Sequence, residues 1–325
     1  MLAVFFIFCF VFSLLAGRYQ VRPGIFLKLI LSRLYPIKHS WPAIVENVIF
    51  EVRMPRVIMA SLIGAGLSAA GAAYQGIFRN PMVSPDVLGA SQGSCFGAAL
   101  GILLALSYKE TALSAFCFGL ASVLLVSAVS SRVKYNPMLG LVLAGIMIGT
   151  LFQSAIAFIK LVADPNNTLP AITYWLMGSF ASTRMQDVCF AGPSIAAGII
   201  LLYLLRWKIN VLTLGDEEAA SVGLHVKLVR ALVITGSTLI TAAAVSVSGL
   251  IGWVGLVIPH LARMLVGNDY RHLMPASLLL GAGFMLAVDD IARLAATSEI
   301  PIGILTSFAG APFFLYLIIR QGRNI

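Results

Sequence analysis

Charge is what this sequence has least of. Of 325 residues, 22 are Lys or Arg and 13 are Asp or Glu, so 11 % of the chain is charged while 59 % is apolar. A soluble domain carries about a quarter charged residues. A chain this poor in charge cannot cover a globular surface with polar groups, which excludes a water-soluble enzyme and a disordered segment. Cysteine is also scarce. Cys9, Cys95, Cys117 and Cys189 lie far apart, the first three inside apolar runs, which excludes a disulfide scaffold and a cysteine metal site. The sequence has no Gly-Lys dipeptide, hence no G-x-x-x-x-G-K-[ST] phosphate loop, and no H-E-x-x-H. The four histidines are scattered. No catalytic residue, no metal ligand set and no nucleic-acid partner is expected.

What is present in quantity is long apolar sequence. A helix needs about 20 apolar residues to cross a bilayer. Lipid offers no partner to an unpaired backbone group, so the spans must be helical. Eight charge-free stretches fit one span each, and the stretch 231–262 is too long for one. Its G-L-I-G-W-V-G at 249–255 reads as a break between a longer helix and a shorter one. The result is an all-α, polytopic transmembrane bundle in one domain, with ten membrane-spanning helices at about 1–17, 57–78, 87–108, 111–131, 135–159, 188–205, 229–248, 256–267, 272–293 and 301–319. Residues 171–180 are too few to span and predict a short interfacial or re-entrant helix. The first run has no cleavage pattern behind it and is taken as span one rather than a signal peptide. The small residues from Gly64 to Ala73 predict close helix approach. Counted over all loops, eleven Lys and Arg fall on each side and the first helix alone argues for external termini, but leaving out the basic segment 18–56 gives eleven on the side of the termini against four, from which cytoplasmic termini are expected.

Polar chemistry gathers in a few places. Arg53 and Arg56 bracket Pro55 at the outer mouth of span two, either anchoring the helix at the interface or docking an acidic partner. Residues 75–89 join spans two and three through two prolines and Asn80, an ordered turn. Gly215 opens and Gly223 closes a short segment that begins Asp216-Glu217-Glu218, where acids favour a helix start. It is either a solvated loop or a docking element. The interrupted run at 249–263 predicts broken helices, which occur at membrane depth only where protein or a cavity surrounds them. Asp289 and Asp290 stand four and three residues before Arg293, so a carboxylate can pair with it and hold it facing outward. Thr150, Gln153 and Ser154 are polar within span five and either line a path or join helices.

Together these stretches resemble the FecCD-type permeases of ABC importers, the family of cobalamin, iron-siderophore and haem importers. The matching motifs are R-M-P-R at 53–56, G-x-F-R-N-P-x-x-x-P-D-x-L-G at 76–89, G-D-E-x-A-x-x-x-G at 215–223, G-x-I-G-W-V-G-L-V-I-P-H-x-x-R at 249–263, D-x-x-A-R-L within 289–294 and E-I-P-I-G-I-L-T-S-F-A-G-A-P-F-F at 299–314. Residues 1–52 add little beyond a helix and a loop. The resemblance implies the type II ABC importer permease fold. It also implies a second permease subunit (a copy or a paralogue), two ATPase subunits holding ATP and Mg²⁺, and a periplasmic or lipid-anchored substrate-binding protein. It makes Arg53, Arg56 and Arg293 contacts for acidic residues of the binding protein. It makes Gly215, Asp216, Glu217, Glu218, Ala219, Ser221, Gly223 and Leu224 a coupling helix for the ATPase. Asn80, Pro81 and Met82 become the inner gate, and Thr150, Gln153 and Ser154 line the pathway. The chain itself is expected to carry no cofactor and no enzymatic activity, and to sit in the inner or plasma membrane. The expected cargo is a metal chelate, iron-siderophore first, with haem, cobalamin and molybdate or tungstate as alternatives. A secondary transporter would need a carboxylate in mid-span, which none of the spans supplies.

Overall fold

The computed structural model describes residues 1–32, 35, 41–133 and 137–322. The start of the expected span 135–159 lies outside these, as do two of the cations counted above, Lys134 and Arg323. Along the chain come α1 (Leu2–Leu15), α2 (Pro23–Ser32) and α3 (Ala43–Asn47), which runs through a π-helical turn (Val48–Arg53) into α4 (Met54–Ile77). After a 3₁₀ turn (Pro85–Leu88) follow α5 (Ala90–Leu103), α6 (Tyr108–Ser130), α7 (Pro137–Val162), α8 (Thr168–Leu176) and α9 (Met185–Leu212). Then come α10 (Asp216–Ser221), α11 (Val226–Ser248), α12 (Val254–Val266), α13 (Tyr270–Leu294) and α14 (Ile302–Gly322). There is no strand among the described residues.

Each of the ten expected ranges holds one helix: α1, α4 to α7, α9 and α11 to α14. Among the described residues six helical runs are both long and apolar enough to cross a membrane alone: Ala43–Ile77, Tyr108–Ser130, Met138–Val162, Met185–Leu212, Val226–Ser248 and Tyr270–Leu294. The expected helix over 87–108 is shorter than the sequence suggested. Pro85 starts a 3₁₀ turn, Gly89 takes φ 75°, and α5 runs only from Ala90 to Leu103. Beyond it Ser107 and Glu110 close a reciprocal capping box that starts α6 afresh. Pro55 occupies the first turn of α4, as its missing N–H favours.

The core is organised around α4. Its apolar window, taken with α3, is 78 % buried, against 22 % for α7. Glycine makes that burial possible at two crossings. A Cβ on Gly64 would overlap the Gly281 carbonyl of α13, and one on Gly71 would overlap the Gly255 carbonyl of α12. Without side chains at these points, backbones meet directly and gain dispersion contacts. The exposed face of α7 carries Leu143, Met147, Leu151 and Phe158.

Contacts fix the helix directions. Phe5 packs on Gly283 and Ser13 on Asp290, so α1 runs parallel to α13. Trp253 packs on Gly310 and α12 runs alongside α14 towards Gly267. Asn210, at the end of α9, accepts from the Tyr270 N–H that opens α13 (3.1 Å). Hence α1 begins, and α14 ends, at the end of the bundle that carries α10.

At that end Asp269 caps α13 by accepting from the Arg271 N–H (2.9 Å) and holds the Arg271 guanidinium at 2.6–3.1 Å. These bonds hold its carboxyl at about 2, below the ordinary value of 3.8. Because the folded value is the lower one, the contribution to stability is complete above the ordinary value and fades as pH falls towards 2. A pH titration of Asp269 by carboxyl NMR should therefore show its midpoint well below that of the Asp269 carboxyl in an Arg271→Ala variant.

Candidate functional site

Three polar assemblies stand out, two at opposite ends of the bundle and one at its middle. At the far end from α10, the π-helical turn and α4 carry Arg53 and Arg56 against the last turns of α1 and α13. Arg56 forks onto Asp289, with Nε 3.0 Å from both carboxylate oxygens and Nη2 2.8 Å from one. Its Nη1 reaches Glu299, on the connector between α13 and α14, at 3.0 Å. Arg293 binds Asp290, one turn back on α13, and donates to the Ser13 carbonyl (2.6 Å) and hydroxyl (2.9 Å). Ser13 in turn donates to Asp290 at 2.8 Å. Arg53 donates to the carbonyls of Leu14 and Leu15, both at 2.8 Å, and of Tyr19, capping the open end of α1.

This corrects the expectation that the three arginines face outward. Arg53 is 4 %, Arg56 6 % and Arg293 6 % exposed. The Asp290–Arg293 pairing itself forms as its spacing suggested, but it turns the guanidinium towards Ser13 and α1. The cause is that the carboxylates and the orphan carbonyls of α1 take up most of the guanidinium donors, which repays much of the desolvation, while Arg293 Nε has no hydrogen-bond partner and lies 3.7 Å from Asp289. Sequence reasoning missed Ser13, Glu299 and Arg18. Ser13 is the one hydroxyl in the first apolar run, and Glu299 opens the E-I-P-I-G motif, so both left a trace. Arg18 is exposed and donates to the Arg293 (3.3 Å) and Ala296 (3.0 Å) carbonyls, bracing the C-terminus of α13.

At the α10 end the acidic segment is a helix, with Gly215 (φ 144°) before it and Gly223 (φ 82°) after it. Only Ala219 of α10 is buried. Asp216 is drawn back to Arg230 of α11 at 2.9 Å, which leaves Glu217, Glu218 and Ser221 exposed beside Leu214 and Val222. Leu224 is half-buried.

The third assembly is at the middle of the bundle. From Ile77 the chain turns at Asn80, whose Oδ1 accepts from the Met82 N–H (2.9 Å), with Pro81 and Met82 exposed. It then climbs back so that Pro85 lies against Gly255. Gln75, 3 % exposed, ties this segment to α12 through the Val83 (3.3 Å) and Leu256 (3.4 Å) carbonyls. The expected break after α11 is present. Gly249 takes φ 69° and Trp253, the head of α12, takes φ 71°, a left-handed conformation that a bulky residue adopts only when its surroundings hold it. Gly310 and Phe314 of α14 do so. The break meets two others. The Ser179 N–H donates to the Ser248 carbonyl (2.8 Å), and the Ile302 N–H to the Gly178 carbonyl (2.8 Å). The short helix expected at 171–180 forms earlier, as α8 (Thr168–Leu176), and residues 177–180 leave it at this junction. Beside it opens an apolar cavity of about 630 Å³, lined by Met177, Leu250, Trp253, Ile304 and Phe308 among others. Thr150, Gln153 and Ser154 share the exposed side of α7, where Thr150 closes its hydroxyl onto the Ile146 carbonyl (2.8 Å).

Comparison with known proteins bears on the fold and the family. A solved inward-facing ABC transporter of metal-chelate type superposes with a TM-score of 0.88 at 37 % identity, over 98 % of this chain and 97 % of that one. The molybdate import permease MolB of Haemophilus influenzae is 40 % identical over 282 residues, 86 % of this chain and 84 % of its own. An iron chelatin transport permease of Helicobacter pylori is 42 % identical over 273 residues, 84 % of this chain and 82 % of its own. The haemin permease HmuU of Yersinia pestis is 36 % identical, over 85 % and 84 %. The family model of the FecCD transport family matches residues 5–320. Because that match runs over nearly the whole of an apolar helical bundle, this chain is an integral membrane permease of the FecCD transport family, a transport subunit of ABC importers.

Proposed function

We propose that the permease passes a metal chelate, iron-siderophore first, from an external binding protein into the cytoplasm by alternating access. Relatives named for iron chelatin, haemin, cobalamin and molybdate support a chelate or oxyanion cargo. The observation that carries the reading is α10: an acidic, solvent-facing helix at the end of the bundle where α1 begins and α14 ends. In this reading that end is cytoplasmic, and the ten helices all cross the membrane. Two ATPase subunits, which hold ATP and Mg²⁺, seat α10 in their clefts. A second permease subunit, identical or paralogous, covers the exposed side of α7, and the pathway runs past Thr150, Gln153 and Ser154. ATP binding draws the ATPase subunits together and moves α10. Through the Asp216–Arg230 pair the motion reaches α11, and the turn at Asn80, Pro81 and Met82 opens as the inner gate. At the far end the Arg53, Arg56 and Arg293 cluster receives acidic residues of the binding protein. None of these steps requires chemistry on the cargo.

Glu217 and Glu218 test the coupling helix without disturbing its attachment. Converting both to Ala leaves Asp216 on Arg230. ATPase association, read by co-purification, and uptake in proteoliposomes should each fall about tenfold, the equivalent of 1.4 kcal/mol of lost contact. Unchanged association would remove α10 from the interface.

A further inference from the structure

The buried arginines and the proposed docking of an acidic protein at the same end pose a physical problem. A guanidinium with 7 % of its side chain exposed cannot be met by a partner that simply lies on the surface. Stripping it of its own carboxylates first would leave a charge unpaired in a poorly solvated place, which costs several kcal/mol. Exchange avoids that cost. One carboxylate replaces another on the same guanidinium, and the number of charge-assisted hydrogen bonds is conserved.

Only one ligand of Arg56 is placed for exchange. Asp289 lies on α13 with 0 % of its side chain exposed and is forked onto Nε and Nη2. Glu299 lies on the connector beyond α13, 28 % exposed, and holds Nη1 alone. Its neighbour Ile300 anchors the connector by donating to the Ala292 carbonyl (3.0 Å), so the Glu299 side chain can leave Arg56 without unwinding α13.

We propose that Glu299 is an internal stand-in for a carboxylate of the substrate-binding protein, covering Arg56 Nη1 in the free permease and yielding it on docking. The inference rests on the docking reading above and adds its gate. Glu299 lowers the apparent affinity by the fraction of time it covers the guanidinium, and it keeps the buried charge paired between docking events.

The test measures binding of the permease's substrate-binding protein to the detergent-purified permease–ATPase complex. Three variants are compared with the parent: Glu299→Gln, Arg56→Lys and the double substitution. Lysine retains a charge for Asp289 but lacks the fork needed to hold a second carboxylate. Unfolding midpoints confirm that each variant is folded. Glu299→Gln should lower Kd about fivefold or more, as expected when a covering group occupies the site most of the time. Arg56→Lys should raise Kd, and in its background Glu299→Gln should have no effect. If Arg56→Lys weakens binding but Glu299→Gln leaves it unchanged or weakens it, the stand-in is overturned and docking at Arg56 stands. If Arg56→Lys leaves binding unchanged, docking at Arg56 itself fails and the inference with it.

Discussion

Asp289→Ala should destabilise the permease by about 3–5 kcal/mol, the usual consequence of removing one partner from a buried ion pair. Asp289 is wholly buried and takes three hydrogen bonds from Arg56, and Arg293 Nε lies 3.7 Å away. Without it Arg56 keeps only Glu299, and Arg293 keeps Asp290 and Ser13. Two guanidinium groups would then share a buried space with too little negative charge. The measurement is thermal unfolding in detergent. An unfolding midpoint equal to the parent's would show that water reaches the cluster and that burial does not set its energetics. A Glu299→Gln variant in the same experiment should shift far less, since its carboxylate is partly solvated and pairs of that kind contribute about 1 kcal/mol or less.

The second large effect belongs to Gly71. A methyl group there would overlap the backbone of Gly255, and neither helix has a flexible side chain at the point of contact that could yield. Gly71→Ala must therefore push α12 off α4 and disturb the junction where Gln75 ties the 79–89 segment to Leu256. The expected cost is about 1–3 kcal/mol for overpacking, with loss of uptake because the broken helix moves. Gly66 is the informative comparison. A Cβ there meets the Ile240 and Ile195 methyl groups, which can change rotamer. Gly66→Ala should be milder in both readouts. Equal effects at the two sites would mean that the α4–α12 approach tolerates adjustment and is not a fixed crossing.

Much of the architecture was legible because hydropathy is a property of local sequence. Charge-free runs located ten of the fourteen α-helices found among the described residues, the glycines at 249–255 located the break, and Gly215 and Gly223 bracketed α10. The errors were local chemistry overriding length. Residues 87–108 read as one apolar helix, yet Pro85 and Gly89 divert the first residues into a 3₁₀ turn and Ser107 caps a new helix. The Asn80 turn was recognised, but not its return to mid-bundle, which depends on a glycine 175 positions away accepting Pro85 against it.

The arginines mark the limit more sharply. Their positions were evident from R-M-P-R and from the Asp-Asp-x-x-Arg spacing. Which way they face was decided by residues far along the chain: Asp289 lies 233 positions from Arg56, and Ser13 lies 280 from Arg293. By itself the sequence determined that this is a helical membrane permease, where its helices run and which short segments are polar enough to matter. The tertiary structure decided which of the charges are spent inside the molecule and which remain for others. The reason is that burying an apolar side chain is favourable almost wherever it goes, whereas burying a charge is favourable only against a specific partner, and that partner is brought into place by the fold.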